Sequence, residues 1–398
     1  MKYMIQRIKN SNLGRHILNI IGIFKKLYMF LCNKIIGIND RKAVFISFSG
    51  KSYSDNPKAI SEKLHEMYPY FDIVWLFNSP EEKSKIVPDY VKCVKRNSLA
   101  ALKELATSKF WVDNFCKPLY IYKNKDQFYI QTWHGERGFK KSLYDSSFIS
   151  KETRYIESKI CDLMLSGSDF GDKVYRTAFH YKGEILKSGC PRNDLLIANN
   201  EEKAKGIRKK MKISEKTKIV LFAPTLRREA ATLFKYQSIS GIGIDWNEIL
   251  KKLEEKTNTD WVCFFRAHSS VKGLSGMSED QRYLNVTSYE DMADLLLISN
   301  MLITDYSSSV GDFALLHRPI IIFQNDREEF IKNDRNLYFD INKSPYLVAK
   351  NQEELMSIIE KLSDDLVFKN CEDILDFYGT KESGKAAEDV VKYMFSKK

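Results

Sequence analysis

From residue 42 onward, short apolar runs alternate with stretches of helical periodicity. KAVFISFSG, DIVWLFNS, KFWVDNF, FYIQTWHG, DLMLSGSD and EILKSGCPR read as buried strands, with amphipathic helices such as Asn56–Met67, Ser98–Thr107 and Asp169–His180 between several of them. A polar, charged interval at Ala198–Lys216 breaks the rhythm, which resumes with TKIVLFAPT, TDWVCFFRAH, YLNVT, MLITDYSS and PIIIFQND. Apolar runs alternating with helices predict parallel sheets covered on both faces, here in two successive halves.

Residues 41–205 and 206–398 are therefore expected to form two doubly wound, Rossmann-type domains in an α/β protein of GT-B-like plan. Ligands of such folds sit in the cleft where the carboxyl ends of the strands face each other. No G-x-G-x-x-G follows the first strand and no G-x-x-x-x-G-K-[ST] occurs, which argues against dinucleotide oxidoreductases and P-loop NTPases.

Residues 1–40 follow a different pattern. Ile17, Ile20, Ile21, Phe24, Leu27, Tyr28, Leu31 and Ile35 recur at helical spacing, with Asn19, Gly22, Lys26 and Asn33 on the opposite side. Lys25, Lys26 and Lys34 interrupt the run, so it falls short of the roughly 20 apolar residues of a spanning helix. No small-residue cleavage site follows. The pattern predicts a basic amphipathic helix lying in a membrane interface.

The charge balance, 63 basic against 52 acidic residues, favours anionic partners such as anionic lipid or phosphate-bearing substrates. Nucleic acid is not expected, because zinc-finger spacing, RNP-type segments and basic-zipper heptads are missing. Seven cysteines scattered singly count against a disulfide framework or a zinc site and suit a reducing compartment. No metal ligands are assigned.

Two histidines stand at matching places, His134 ending FYIQTWHG and His268 ending WVCFFRAH. Each falls just past a predicted strand, where imidazole can take a proton from a hydroxyl or support developing phosphate charge. In MLITDYSSSVGDFALLHRP, Asp305, Ser307 and Ser308 lie between a strand and the helical stretch Val310–Leu316. Hydroxyls and free N–H groups there suit a pyrophosphate. Ser383, Gly384 and Lys385 open another helix. Thr225, Arg227 and Arg228 stand at the end of LFAPTLRRE, where guanidinium groups suit phosphate. Gly135, Arg137, Lys140 and Lys141 follow His134 and add positive charge at the same mouth.

Taken in order, WHGERGFKKSLYD, SGSDFGDKVYRTAF, SGCPRND, LFAPTLRRE, RAHSSV, ITDYSSSVGDFALLHRPIIIF and SGKAAEDVV resemble the CDP-glycerol glycerophosphotransferase family of teichoic-acid and capsule synthesis. The resemblance runs from about Phe128 to the C-terminus. It implies transfer of glycerol or ribitol phosphate from a CDP-polyol to a lipid-linked polymer acceptor, with CMP released. The CDP-polyol is a co-substrate, and no cofactor is implied. The first domain would take the acceptor and the second the donor, on the cytoplasmic face of the membrane. His134 and His268 match the family's two essential-type histidines. Ser307, Ser308, Gly384 and Lys385 match its donor-phosphate contacts. Arg266 and Arg227 would assist His268, and Glu290 would meet the cytidine ribose. Gly135, Arg137 and Lys140 would lie on the acceptor side. Where many members continue after W-H-G with Thr-Pro or another short neutral pair, this chain has Glu136, Arg137 and Gly138. Two alternatives share the fold: a glycosyltransferase using a nucleotide sugar, and a non-catalytic envelope-assembly protein.

Overall fold

The computed structural model describes residues 12–148, 154–225, 227, 243–267 and 282–396. Strands β1 (Asn39–Ile46), β2 (Asp72–Phe77), β3 (Val91–Lys95), β4 (Ser108–Asp113), β5 (Phe128–Gln131), β6 (Leu163–Leu165) and β7 (Glu184–Leu186) form one parallel sheet in the order β3-β2-β1-β4-β5-β6-β7. The second sheet, also parallel, contains β8 (Lys218–Ala223), β9 (Trp261–Phe265), β10 (Tyr283–Asn285), β11 (Met301–Thr304), β12 (Ile320–Phe323) and β13 (Leu347–Ala349). Its order is β10-β9-β8-β11-β12-β13.

Both sheets thus follow one winding rule, with the strand order reversing between β1 and β4 and again between β8 and β11. Such a reversal leaves a crevice at the carboxyl ends, because the helices leaving the two central strands cover opposite faces. The central strands are buried along nearly their whole length, as continuous apolar runs in a helix-covered sheet should be.

The last helix, Ala386–Ser396, does not stay with the half in which it lies in sequence. Its Val390, Val391 and Met394 join the core formed by β1, β2 and β4, beside Phe71 and Phe110. A second crossing is made by the loop after β5, whose Phe139 is fully buried in the core of the second half against Phe339 and Tyr346. The Phe139 carbonyl also accepts the Tyr338 N–H at 2.7 Å. The loop that carries His134 is therefore anchored in both halves.

The N-terminal pattern folds as the helix Asn12–Ile36. Its apolar side faces outward: Phe24 is 67% exposed and Ile35 80%. Of the side expected to be polar, Gly22 and Asn33 pack on the protein, while Asn19 and Lys26 stay exposed. Gly22 lets Tyr120 approach closely, and Asn33 Nδ2 donates to the Ala106 carbonyl at 2.8 Å, with Met29 and Cys32 buried alongside. A buried amide with a specific acceptor costs little, so two polar-side residues became the docking face.

Candidate functional site

A cavity of about 870 Å³ lies between the carboxyl ends of β1, β2 and β5 and those of β8, β9 and β11. His134 lines it from the first half. Its Nδ1 is 2.7 Å from the main-chain oxygen of Asn114, just past β4. A carbonyl oxygen can only accept, so Nδ1 carries the proton and Nε2 holds the lone pair. Asn114 is itself pinned to the end of β1: its Oδ1 accepts the Phe48 N–H at 2.7 Å and its Nδ2 donates to Ser47 Oγ at 3.2 Å. Phe115 stacks on the imidazole at 5.5 Å and Phe48 meets it edge-on at 5.3 Å. Burial, reinforced by the cations Arg192, Lys140 and Arg335, pulls the His134 pKa down to about 4 against the opposing Asn114 hydrogen bond. The ring is therefore neutral at neutral pH, with a basic nitrogen available.

The opposite wall is cationic and rich in hydroxyls. Ser307 and Ser308 line the cavity, the former with Oγ 2.9 Å from Ser309 Oγ. A Cβ at Gly135 would lie 2.6 Å from Ser308 Oγ, so only glycine lets the His134 loop and the serine turn approach this closely. Thr225 also lines the cavity, its N–H shared between both Asp305 oxygens at 2.9 and 3.0 Å. Lys140 reaches across from the first half, Nζ 3.3 Å from Thr225 Oγ1. Burial, with Arg335 and Arg227 adding repulsion and Asp305 opposing, lowers the Lys140 pKa to about 8. Arg266 lines the same wall, and its buried Nη1 has no hydrogen-bond partner among the described residues. Burial lowers its pKa, although Asp291 and Glu290 pull the other way. An unsatisfied buried guanidinium donor in a cleft is suited to an anionic ligand.

Other expected contacts take different places. His268 lies outside the described residues. Arg227 is buried and does not line the cavity. It pairs with Asp305 at 2.8 Å and Asp326 at 2.7 Å, and its guanidinium lies over the Tyr306 and Phe330 rings. Asp305 is likewise an internal acid, holding Arg227 and the Thr225 turn. Arg137, expected on the acceptor side, is 1% exposed and pairs with Asp312 at 2.8 Å and Glu382 at 2.6 Å. Two carboxylates draw it inward, away from solvent and out of the cavity lining. Gly384 and Lys385 stand outside the cavity lining. The first N–H groups of the helix behind them, on Ala386 and Ala387, already donate to Asp194 at 2.9 and 2.8 Å, leaving those donors engaged. Glu290 does line the cavity, but its carboxylate accepts the Tyr53 N–H at 3.0 Å and pairs with Lys83 across the cleft.

Several site residues carry no assigned role in the sequence pattern. Asn114 orients His134 through its main chain, which no side-chain motif reveals. Arg192 and Asp312 lie inside SGCPRND and SSSVGDFALLHRP, yet their pairing at 3.0 Å appears only once the halves meet. Among the described residues no group of three or more His, Cys, Asp or Glu is placed to hold a metal ion.

The model of the CDP-Glycerol:Poly(glycerophosphate) glycerophosphotransferase family matches residues 27–396. The chain is 30% identical to a teichoic acid poly(glycerol phosphate) polymerase of Staphylococcus epidermidis over 94% of its own length and 53% of the relative's. It is 31% identical to a polymerase of the same description from Bacillus spizizenii, over 90% of this chain and 93% of that one. The chain thus spans about half the length of some curated relatives and nearly all of another. The solved structure of the wall teichoic acid polymerase TagF superposes with a TM-score of 0.81 at 28% identity, covering 96% of each chain. With a GT-B-like fold shared across its length, the chain belongs to the CDP-glycerol:poly(glycerophosphate) glycerophosphotransferase family.

Proposed function

We propose that this chain transfers glycerol phosphate, or ribitol phosphate, from a CDP-polyol to a hydroxyl of a membrane-linked cell-envelope polymer and releases CMP. The observation that carries this reading is the neutral His134, whose Nε2 has no hydrogen-bond partner among the described residues, in a cleft whose far wall offers Ser307, Ser308, Thr225 and an Arg266 Nη1 likewise without a partner among them. His134 Nε2 takes the proton of the acceptor hydroxyl. The acceptor oxygen forms a bond to the donor's β-phosphorus as the bond from that phosphorus to CMP breaks in line. Lys140, Arg266 and the two serines balance charge on the phosphoryl oxygens. His268 keeps the role its motif implies, support of the charge leaving with CMP. The relatives' names favour glycerol as the polyol.

The test is to offer CDP-glycerol, CDP-ribitol and a UDP-sugar separately and to follow nucleotide release. CMP should appear with a CDP-polyol and rise when a glycerol-phosphate acceptor is added. Release of UDP from the sugar, without CMP from either CDP-polyol, would establish the glycosyltransferase reading instead.

Lys140 gives the cleft a pH dependence. Its charge is lost as pH rises through about 8 in the free protein. If it meets a donor phosphate, affinity for CDP is level below that point and weakens by up to about tenfold per pH unit above it. Calorimetry from pH 7 to pH 9.5, run beside Lys140→Met, should show the slope in the parent alone.

For the membrane, the support is the outward apolar face of the helix Asn12–Ile36, on a helix that also exposes Lys26 and Lys34. Among the described residues no helix is long and apolar enough to cross a membrane. We place this face in the headgroup region of an anionic leaflet. Replacing Phe24, Leu27 and Leu31 together with Ser should cut binding to phosphatidylglycerol vesicles while turnover of a lipid-free acceptor is kept. Equal vesicle binding by the variant would move the anchor elsewhere.

A further inference from the structure

The cleft wall near His134 holds an acid that the proposed transfer does not use. Asp55 begins the helix Asp55–Met67 with φ +65°, in the left-handed region that non-glycine residues rarely occupy. Its side chain is buried and lines the same cavity. Oδ1 accepts the Asn56 N–H at 2.7 Å and lies 3.6 Å from Arg192 Nη1. The side chain of Asn114, the residue whose carbonyl orients His134, stands nearby and favours its charged form. A carboxylate offers about four acceptor positions, so these neighbours leave capacity toward the cavity.

Structural duty alone does not account for this acid. A helix start needs no left-handed residue, and Arg192 is already neutralised by Asp312, through Nε at 3.0 Å and Nη2 at 3.2 Å. Strain of this kind persists where surroundings enforce it, most often at functional sites. Burial raises the Asp55 pKa while Arg192 opposes the rise, which marks the cost of keeping a carboxyl group there. Glu290, Asp291 and Asp312 also line the cavity but are paired with Lys83, Lys58 and Arg192. Asp55 meets Arg192 only at 3.6 Å, and a carboxylate so placed repels phosphate and accepts from hydroxyls.

We propose that Asp55 is a specificity residue that accepts hydrogen bonds from the free hydroxyl groups of a polyol unit beside His134. This rests on the transfer reading above. The polyol is either the donor's own or the terminal unit of the acceptor, and the two are separable by experiment. Asn and Gly both tolerate left-handed backbone, so Asp55→Asn and Asp55→Gly should fold, with melting temperatures at or above that of the parent. In the full chain, affinity for CDP should be unchanged or tighter in both variants, because a negative charge has gone. Loss of one charge-assisted hydrogen bond corresponds to roughly a 10–100-fold effect. It should appear in the affinity for CDP-glycerol if the donor polyol is held, or in the KM for a glycerol-phosphate acceptor if the acceptor unit is held. Variants in which neither quantity moves, in which CDP affinity falls in parallel, or which melt well below the parent would overturn the proposal. A parent protein that releases no CMP from CDP-glycerol would instead overturn the transfer reading, whatever the variants do.

Discussion

Replacing His134 with Ala is expected to lower acceptor-dependent CMP release by about 10²–10⁴-fold. The melting curve and the affinity for CDP-glycerol should stay near those of the parent. The base acts on the acceptor proton only as the transition state forms, so its loss appears in turnover rather than in donor binding. The imidazole also contributes little that holds the fold: its hydrogen bond to Asn114 lies at the edge of an open cavity, and Asn114 is held independently by Ser47 and Phe48. His134→Gln sharpens the measurement. Its amide can still donate toward the Asn114 oxygen but has no basic nitrogen, so it should be as slow as Ala. Turnover within tenfold of the parent in either variant would remove His134 from the proton transfer.

Asp312→Ala is expected to act on stability. Asp312 Oδ1 accepts from Arg137 Nη2 at 2.8 Å, Arg192 Nη2 at 3.2 Å and Asn193 Nδ2 at 3.0 Å, while Oδ2 accepts from Arg192 Nε at 3.0 Å. Removing it leaves two guanidinium groups buried with much of their neutralising charge gone. Loss of one partner from a buried ion pair typically costs 3–5 kcal/mol, about the scale expected here. Denaturant unfolding should show the midpoint falling sharply, whereas Asp373→Ala, which breaks an exposed pair with Lys369, should leave it nearly unchanged. Burial pushes the Asp312 pKa up, but Arg192 and Arg137 outweigh it and hold the group below its usual value. The stability this supplies is present above the unfolded-state pKa, roughly 3.9, and is lost as pH falls through the lower folded value. A midpoint unchanged by Asp312→Ala would mean that the network does not join the halves.

The contrast between these residues shows what a sequence displays. His134 could be picked out because it ends an apolar run in a doubly wound pattern, and backbone direction alone then delivers it to the cleft. The partners of Arg137 and Arg192 lie far along the chain, and no local spacing encodes those meetings. Arg137 therefore looked like a free cation at the mouth, although it is an internal one. The strands followed the same logic. β2, β8 and β12 are nearly unbroken apolar runs because both faces are covered. β3 and β13 escaped notice because they are edge strands, and VKCVK and LVA leave most of their positions at least partly exposed. In the helix Asn12–Ile36 the periodicity was legible but its direction was not. Gly22 and Asn33 form a docking face only because Tyr120 and the Ala106 carbonyl stand opposite them.

The central claim is that the bond broken lies on the donor's β-phosphorus. The most direct measurement uses CDP-glycerol carrying radioactive phosphorus in the β-phosphate, with a glycerol-phosphate acceptor, followed by separation of polymer from nucleotide. The account predicts label in the polymer and unlabelled CMP in equal amount. Label remaining on released CDP would show attack at the polyol carbon and would contradict it.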